Sequence, residues 1–374
     1  MKIVYCIPGI YNSGGMERVL TNKVNWLVSH GYDITILTTE QKKRPPFFDL
    51  DSRVSLINLD INWEEYFSAP FLYKIFLFYF KRWLHKKRLK KYLYKIESDF
   101  VISMFFHEMS HLPNIKDGSV KILEFHFAKK HLQKRRRNKL FSWIDNLNFK
   151  NIVGITQKYE KFVVLTEADK RAWGGRNIIV IPNSSTFHLP QRATLKHKKA
   201  IAVGRCVYEK GFERLITIWE SFSAIYKDWH LEIVGDGVLK SHLEELINEK
   251  GLHESVLITP AVKNIYEKYQ SASILLMTSF FEGLPMVLIE AQSCGVPVIS
   301  YDVPNGPAEI INDGMDGFLI EDGNECEFVK KLSYLAENEQ MRILMGENAF
   351  INSKRFSEDS IMTKWDCLFK SLKM

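Results

Sequence analysis

Ser279-Phe280-Phe281-Glu282-Gly283-Leu284-Pro285-Met286-Val287-Leu288-Ile289-Glu290-Ala291 is the stretch that decides the fold. An apolar run at 274–277 reads as a short strand, Gly283 supplies a tight turn, and Pro285 stands where a helix starts, so its missing N–H leaves no hydrogen bond unmade. Strand, glycine turn and helix in that order form the joint of a parallel, doubly wound α/β sheet. The free amides and dipole at such a helix start favour phosphate or hydroxyl groups. Glu282 precedes the helix and Glu290 lies two turns along it, so the two carboxylates can reach opposite ends of an extended ligand. The plain alternative is a loop charge and a solvated helix residue.

The same alternation runs outward in both directions. In the second half, short apolar strands at 200–203, 230–234, 256–258, 297–300 and 317–320 alternate with helical stretches at 212–226, 239–250, 265–271 and 286–293. In the first half, strands at 3–7, 33–38, 100–104, 121–125 and 161–165 accompany an amphipathic helix at 16–29. At 374 residues the chain exceeds one ordinary core. Two Rossmann-like domains are expected, facing each other across a cleft: 1–190 and 191–354, with the boundary in the polar connection before Lys198-Lys199. The tail from Phe328 onward reads as helical, and its last part, 355–374, is expected to pack back on the first domain.

Five scattered cysteines, Cys6, Cys206, Cys294, Cys326 and Cys367, form no CxxC pair and no cluster at metal-ligand spacing. They indicate buried thiols in a reducing compartment. The first strand meets Pro8-Gly9 before any signal-peptide apolar region develops, which points to the cytoplasm. The net charge of +7 is uneven: residues 1–190 carry 31 Lys and Arg against 17 Asp and Glu, and residues 191–374 carry 20 against 27. The halves have different partners.

Two further turns carry chemistry. Val203-Gly204-Arg205-Cys206-Val207-Tyr208-Glu209-Lys210-Gly211 leaves a strand at the carboxyl end of the second sheet, where open α/β folds bind ligands. Arg205, through forked hydrogen bonds, and Lys210, as a point charge, suit a diphosphate, unless they are surface cations beside a turn. Gly9-Ile10-Tyr11-Asn12-Ser13-Gly14-Gly15-Met16-Glu17-Arg18 follows the first strand and allows close backbone approach at a helix start, without being a G-x-G-x-x-G pattern. Glu17 either has a functional role there or simply favours the helix dipole.

Gly204-Arg205 with Lys210, the E-x7-E pair Glu282 and Glu290, and Gly-Val-Pro-Val-Ile at 295–299 together resemble retaining glycosyltransferase family four, of the GT-B fold. Gly14-Gly15, Thr166, Pro182-Asn183, Val234-Gly235-Asp236-Gly237 and Gly306-Pro307 with Glu309 are similar to that family's landmarks, in order. The resemblance covers nearly the whole chain, is strong in the second half and is thin between residues 40 and 160. It implies a nucleotide diphosphate sugar, UDP favoured and GDP as the alternative, bound by the second domain. A saccharide acceptor, lipid-linked as in capsule, exopolysaccharide or lipopolysaccharide assembly, would bind the first. Arg205 and Lys210 would hold the diphosphate, Glu290 the ribose, and Glu282 with the amides of Gly283 and Leu284, beside Pro285, the donor sugar. Gly14-Gly15 would approach the phosphates and acceptor from the other side. His126, in Glu124-Phe125-His126, would lie near the transferred sugar, where a structural histidine is the competing reading. Val262 would lie near the base, in a turn (259–262) that lacks the family's common glycine. No metal or other cofactor is implied. A non-catalytic nucleotide-sugar-binding subunit, or a phosphorylase or epimerase on the same fold, remain as alternatives.

One segment departs from the α/β pattern. From Trp63 to Tyr94 aromatics are dense (Phe71, Tyr73, Phe76, Phe78, Tyr79, Phe80, Trp83) and cations follow: Lys86, Lys87, Arg88, Lys90 and Lys91. A second basic run spans Lys129-Lys130 and Lys134-Arg135-Arg136-Arg137 to Lys139. The apolar run at 71–80 falls far short of the roughly 20 residues that span a bilayer. No nucleic-acid recognition fold accompanies the charge. Either a solvated face or peripheral binding to an anionic membrane on its cytoplasmic side accounts for it.

Overall fold

The computed structural model describes residues 1–127, 129, 142–187, 191–262, 264–304 and 306–373. They divide into two compact units, Met1–Pro182 with Ile361–Met374, and Asn183–Ser360.

In the first unit the strands are β1 (Lys2–Ile7), β2 (Asp33–Thr38), β3 (Ser55–Asn58), β4 (Phe100–Ser103), β5 (Val120–Glu124), β6 (Lys161–Val164) and β7 (Ile178–Val180). They lie parallel in the order β3-β2-β1-β4-β5-β6-β7, with Ile3 in register with Ile34 on one side and Phe100 on the other. Both faces of this sheet are covered, so its central strands read as unbroken apolar runs. Ile3, Tyr5, Ile34, Ile36 and Phe100 point into one core and Val4, Cys6, Leu37, Val101 and Leu123 into the other, as the two-residue period of a strand requires. The helices are α1 (Gly15–Ser29), α2 (Glu64–Ser68), α3 (Phe71–Ile96), α4 (Ser142–Thr156) and α5 (Glu167–Trp173). Thr166 caps α5 by accepting from the Asp169 amide.

The second unit has β8 (Lys199–Val203), β9 (His230–Val234), β10 (Val256–Thr259), β11 (Ile274–Met277), β12 (Val298–Asp302) and β13 (Gly317–Glu321), parallel in the order β10-β9-β8-β11-β12-β13. Its helices are α6 (Phe212–Ser223), α7 (Lys240–Glu249), α8 (Tyr266–Gln270), α9 (Met286–Ser293), α10 (Pro307–Ile310), α11 (Glu325–Glu337) and α12 (Glu339–Ser353). A final helix, α13 (Glu358–Lys373), lays Ile361, Met362, Trp365 and Phe369 on the first unit's core beside Tyr5 and Phe100.

The units divide at residues 182 and 360, where the sequence suggested 190 and 354. The segment before β8 joins the second unit because its backbone is bonded there: the Ser185 amide donates to Phe356 O and the Ala193 amide to Cys294 O. Two strands in the first unit, β3 and β7, were not anticipated at all. Both are sheet edges.

Candidate functional site

In each sheet the strand order reverses once, between β1 and β4 and between β8 and β11. Open α/β sheets bind ligands at the carboxyl ends beside such a reversal. In the second unit the loops that leave β8 and β11 are Gly204–Lys210 and Ser279–Pro285, the two singled out from sequence.

Backbone fit holds these loops together. Gly211 has φ +63°, and a Cβ there would lie 2.2 Å from Thr278 O; Gly235, after β9, would place one 1.8 Å from Gly204 O. Glycine is required at both positions. Arg214, on α6, completes the join. Its guanidinium donates to the carbonyls of Thr278 (2.5 Å) and Ser279 (2.6 Å) and to Asp322 (2.7 Å), and it lies over the rings of Phe280 and Tyr301 at 4.0 and 4.3 Å. The Phe280 amide donates to Glu209 O, and Phe280 stacks on Tyr208.

On this frame Lys210 Nζ lies 2.7 Å from Glu282 Oε1. Arg205 is exposed on the same loop as Lys210. Gly283 is half-buried, whereas Leu284 and Pro285 turn into the interior, and Pro285 is the residue that caps α9. Glu290 is buried rather than solvated: Thr186 Oγ1 donates to its Oε1 at 2.9 Å and the Tyr269 hydroxyl to its Oε2 at 3.1 Å. The plain reading of Glu290 as a solvated helix residue is therefore set aside. Val262 is exposed, next to Ala261, whose amide donates to Asp236 Oδ2. Arg214, Thr186 and Tyr269 were not found from sequence. None belongs to a recognisable spacing, because each acts on one backbone turn or one carboxylate.

In the first unit Gly14 caps α1, and the Glu17 carboxylate folds back over it, so close that a Cβ on Gly14 would lie 2.2 Å from Glu17 Oε2. That geometry gives the dipole reading of Glu17 a direct basis. Gly15 faces open space. His126 follows β5, and its Nε2 lies 3.1 Å from Glu124 Oε1. The Glu124 carboxylate also accepts from Lys23 of α1. Burial pushes the Glu124 carboxyl up, but Lys23 and His126 together outweigh it and hold it at about 2. Burial lowers the Lys23 ammonium, and Glu124 opposes that shift; the ammonium lies 4.1 Å from the Trp365 ring centre. His126 thus lies against a buried ion pair.

Lys86, Lys87, Lys90 and Lys91 are exposed on α3, but Arg88 is not free: it donates to the carbonyls of Leu59 and Asp60, both at 2.6 Å. Trp63 is buried and stacks on His107, so it does not belong to an exposed aromatic face. In the second basic run, Lys130 and Lys134 to Lys139 lie outside the described residues. Among the described residues no group of three or more His, Cys, Asp or Glu is arranged to hold a metal ion.

The family model described as glycosyl transferases group 1 matches residues 186–351. The chain is 33% identical over 380 residues to the amylovoran biosynthesis glycosyltransferase AmsD of Erwinia amylovora, covering 98% of each. It is 27% identical over 385 residues to a Campylobacter jejuni enzyme, covering 100% of this chain and 99% of that one. The latter is named GalNAc-alpha-(1->4)-GalNAc-alpha-(1->3)-diNAcBac-PP-undecaprenol alpha-1,4-N-acetyl-D-galactosaminyltransferase. A crystal structure of an S. aureus TarM mutant, in complex with Fondaparinux, alpha-GlcNAc-glycerol and UDP, superposes with a TM-score of 0.78 at 18% identity, over 98% of this chain and 99% of that one. Two parallel Rossmann-like sheets, the paired loops at the β8/β11 reversal and a full-length relative above 30% identity agree: the chain belongs to the glycosyl transferases of group 1, with the GT-B fold.

Proposed function

We propose that this chain moves a hexosyl unit from a nucleotide diphosphate sugar, UDP in preference to GDP, to a lipid-linked saccharide in bacterial surface-polysaccharide synthesis, with retention of anomeric configuration and without a metal ion. The observation that carries this reading is the Lys210–Glu282 pair beside Arg205 at the β8/β11 reversal. Two cations there are placed to neutralise charge that develops on a departing diphosphate, which is what a metal would otherwise do. Glu282 orients the Lys210 ammonium and keeps its second oxygen for a hydroxyl of the donor sugar. Glu290, its carboxylate fixed by Thr186 and Tyr269, takes the ribose diol. His126, beside Glu124, and the open Gly15 turn serve the transferred sugar and acceptor in the first unit.

The choice of UDP is supported by the UDP bound in the TarM complex, and the lipid-linked acceptor by the undecaprenol-linked substrate in the name of the Campylobacter enzyme. With such an acceptor, the proposed site of work is the cytoplasmic face of a membrane. Among the described residues no helix is long and apolar enough to cross one. The test is an assay of nucleotide diphosphate release with labelled UDP- and GDP-sugars, with and without a polyprenyl-diphosphate saccharide, in the presence and absence of EDTA. Release that requires the acceptor, survives EDTA and yields a product with the donor's anomeric configuration supports the reading. Release indifferent to acceptor, or abolished by EDTA and restored by a divalent ion, overturns it.

A further inference from the structure

The first half of α3 is built with its polarity reversed. A helix on a water-facing surface turns its apolar stripe inward and its charges outward. Here Lys81 is buried, donating to the carbonyls of Ile61 (2.7 Å) and Asn62 (2.8 Å) and pairing with Glu65 at 2.9 Å, while the rings of Tyr73, Phe76, Tyr79, Phe80 and Trp83 are all at least 45% exposed. Leu77, His85 and Leu89 fill the inner side. Residues 73, 76, 80 and 83 follow the three- and four-residue spacing of one helix face. Their rings form a continuous strip: Tyr73 to Phe76 and Phe76 to Phe80 are each 6.0 Å between centroids, and Phe80 to Trp83 is 6.2 Å. Eleven residues of helix make that strip about 15 Å long.

The strip runs directly into cations. Lys87 Nζ lies 4.9 Å from the centre of the Trp83 ring, and Lys90 Nζ lies 5.4 Å from that of Tyr94. Arg82, Lys86 and Lys91 are exposed beside them, and α3 contains no Asp or Glu. A second copy of this face would set cations against cations, and a neutral apolar partner would leave them unmatched. A surface that is apolar at one depth and anionic at another matches both halves, and rings with one polar edge suit that boundary.

We infer that the outward face of α3 is a membrane-docking surface. Tyr73, Phe76, Tyr79, Phe80 and Trp83 enter the boundary between headgroups and acyl chains, and Arg82, Lys86, Lys87, Lys90 and Lys91 meet anionic headgroups, with the helix lying in the plane of the bilayer. The inference deepens the lipid-linked acceptor reading, but binding is measured with neither donor nor acceptor, so one can fail while the other stands.

The experiment is co-sedimentation of the full chain with vesicles of phosphatidylcholine alone or mixed with phosphatidylglycerol, at low and high salt. The parent should bind the mixed vesicles best. Replacing the rings together (Phe76→Ser, Phe80→Ser, Trp83→Ser) should lower partitioning by at least about tenfold at both salt concentrations, since buried apolar area sets the salt-independent part of interfacial binding. Replacing Lys86, Lys87, Lys90 and Lys91 by Gln should abolish the preference for anionic vesicles and its salt dependence while leaving the residual binding of the rings. Circular dichroism checks that the variants are folded, and the pair Tyr79→Ser with Trp83→Ser serves as a second ring variant. Parental binding by both ring variants, or no vesicle binding by the parent, overturns the inference. So does a lipid-free dimer that the ring substitutions dissolve, which would assign the face to a second copy of the chain.

Discussion

Lys210 and Glu282 share an ion pair of 2.7 Å although 72 residues separate them in the chain. Neither side chain is more than a quarter exposed, so the pair is shielded enough to hold its geometry. Replacing Lys210 or Arg205 by Ala should each lower kcat by roughly 100- to 1000-fold, about 2.7–4 kcal/mol, the range for losing one preorganised donor to developing negative charge. Combining Lys210→Ala with Glu282→Gln should lose little more than Lys210→Ala alone, because residues acting as a unit are not additive. Steady-state kinetics of the parent, Lys210→Ala, Glu282→Gln and the double variant checks this, and fully additive losses would separate the two residues.

Arg214 gives a prediction that involves no ligand. A lysine cannot bond two carbonyls and a carboxylate in one plane, nor stack between two rings as the guanidinium does. Arg214→Lys should therefore lower stability by roughly 2 kcal/mol, the scale of hydrogen bonds to a charged group, and raise the KM for donor by loosening the turn at Thr278 and Ser279. Thermal denaturation and donor titration check both effects; a parental KM with a lowered Tm would make Arg214 a purely structural residue.

Thr186 and Tyr269 hold the two oxygens of Glu290. Thr186→Val keeps the shape of the side chain and removes one donor, so the carboxylate should turn and donor KM should rise several-fold with kcat little changed. An equal fall in kcat with KM unchanged would place Glu290 at the reacting centre instead.

His111 sets an acid limit. Burial first, then Arg82, Lys86 and His107, lower its imidazole to about 4, and the His85 ring packs edge-on against it at 5.0 Å. The native imidazole stays neutral where the unfolded one takes up a proton. Stability therefore falls as pH drops from about 6.5 towards about 4, by roughly 1.4 kcal/mol per pH unit for this group. Urea titrations of the parent and His111→Gln across that window should show a shallower pH dependence in the variant. Parallel curves would move the acid sensitivity to another group.

The parts of the fold that could be read from sequence were those where burial writes itself into composition. β1, β2 and β9 are apolar runs because both faces are covered, and their bounds fall within a residue of the periodicity. The edge strand β3 is short and has no buried residue, so Ser55-Leu56-Ile57-Asn58 has no more apolar signal than a loop, and β7, though apolar throughout, is only three residues long. Lys210, Glu282 and Glu290 were visible because their spacing around a glycine turn has a physical meaning. Arg214 was not: in sequence it is one more cation on the first turn of a helix, and only the carbonyls of Thr278 and Ser279, more than sixty residues away, give it a task. The reversed polarity of α3 was hidden for a similar reason. Its residues were plain, but nothing local says that Lys81 faces in and Phe76 out.

The return of α13 to the first sheet has a consequence for synthesis on the ribosome. Trp365 and Phe369 are buried against β1 and β4, so the Met1–Pro182 part lacks some of its interior until α13 has been translated. The second unit, contiguous from Asn183 to Ser360, suffers no such delay. The half that emerges later can mature earlier, and the nascent amino-terminal half must meanwhile keep an uncovered apolar sheet face from aggregating.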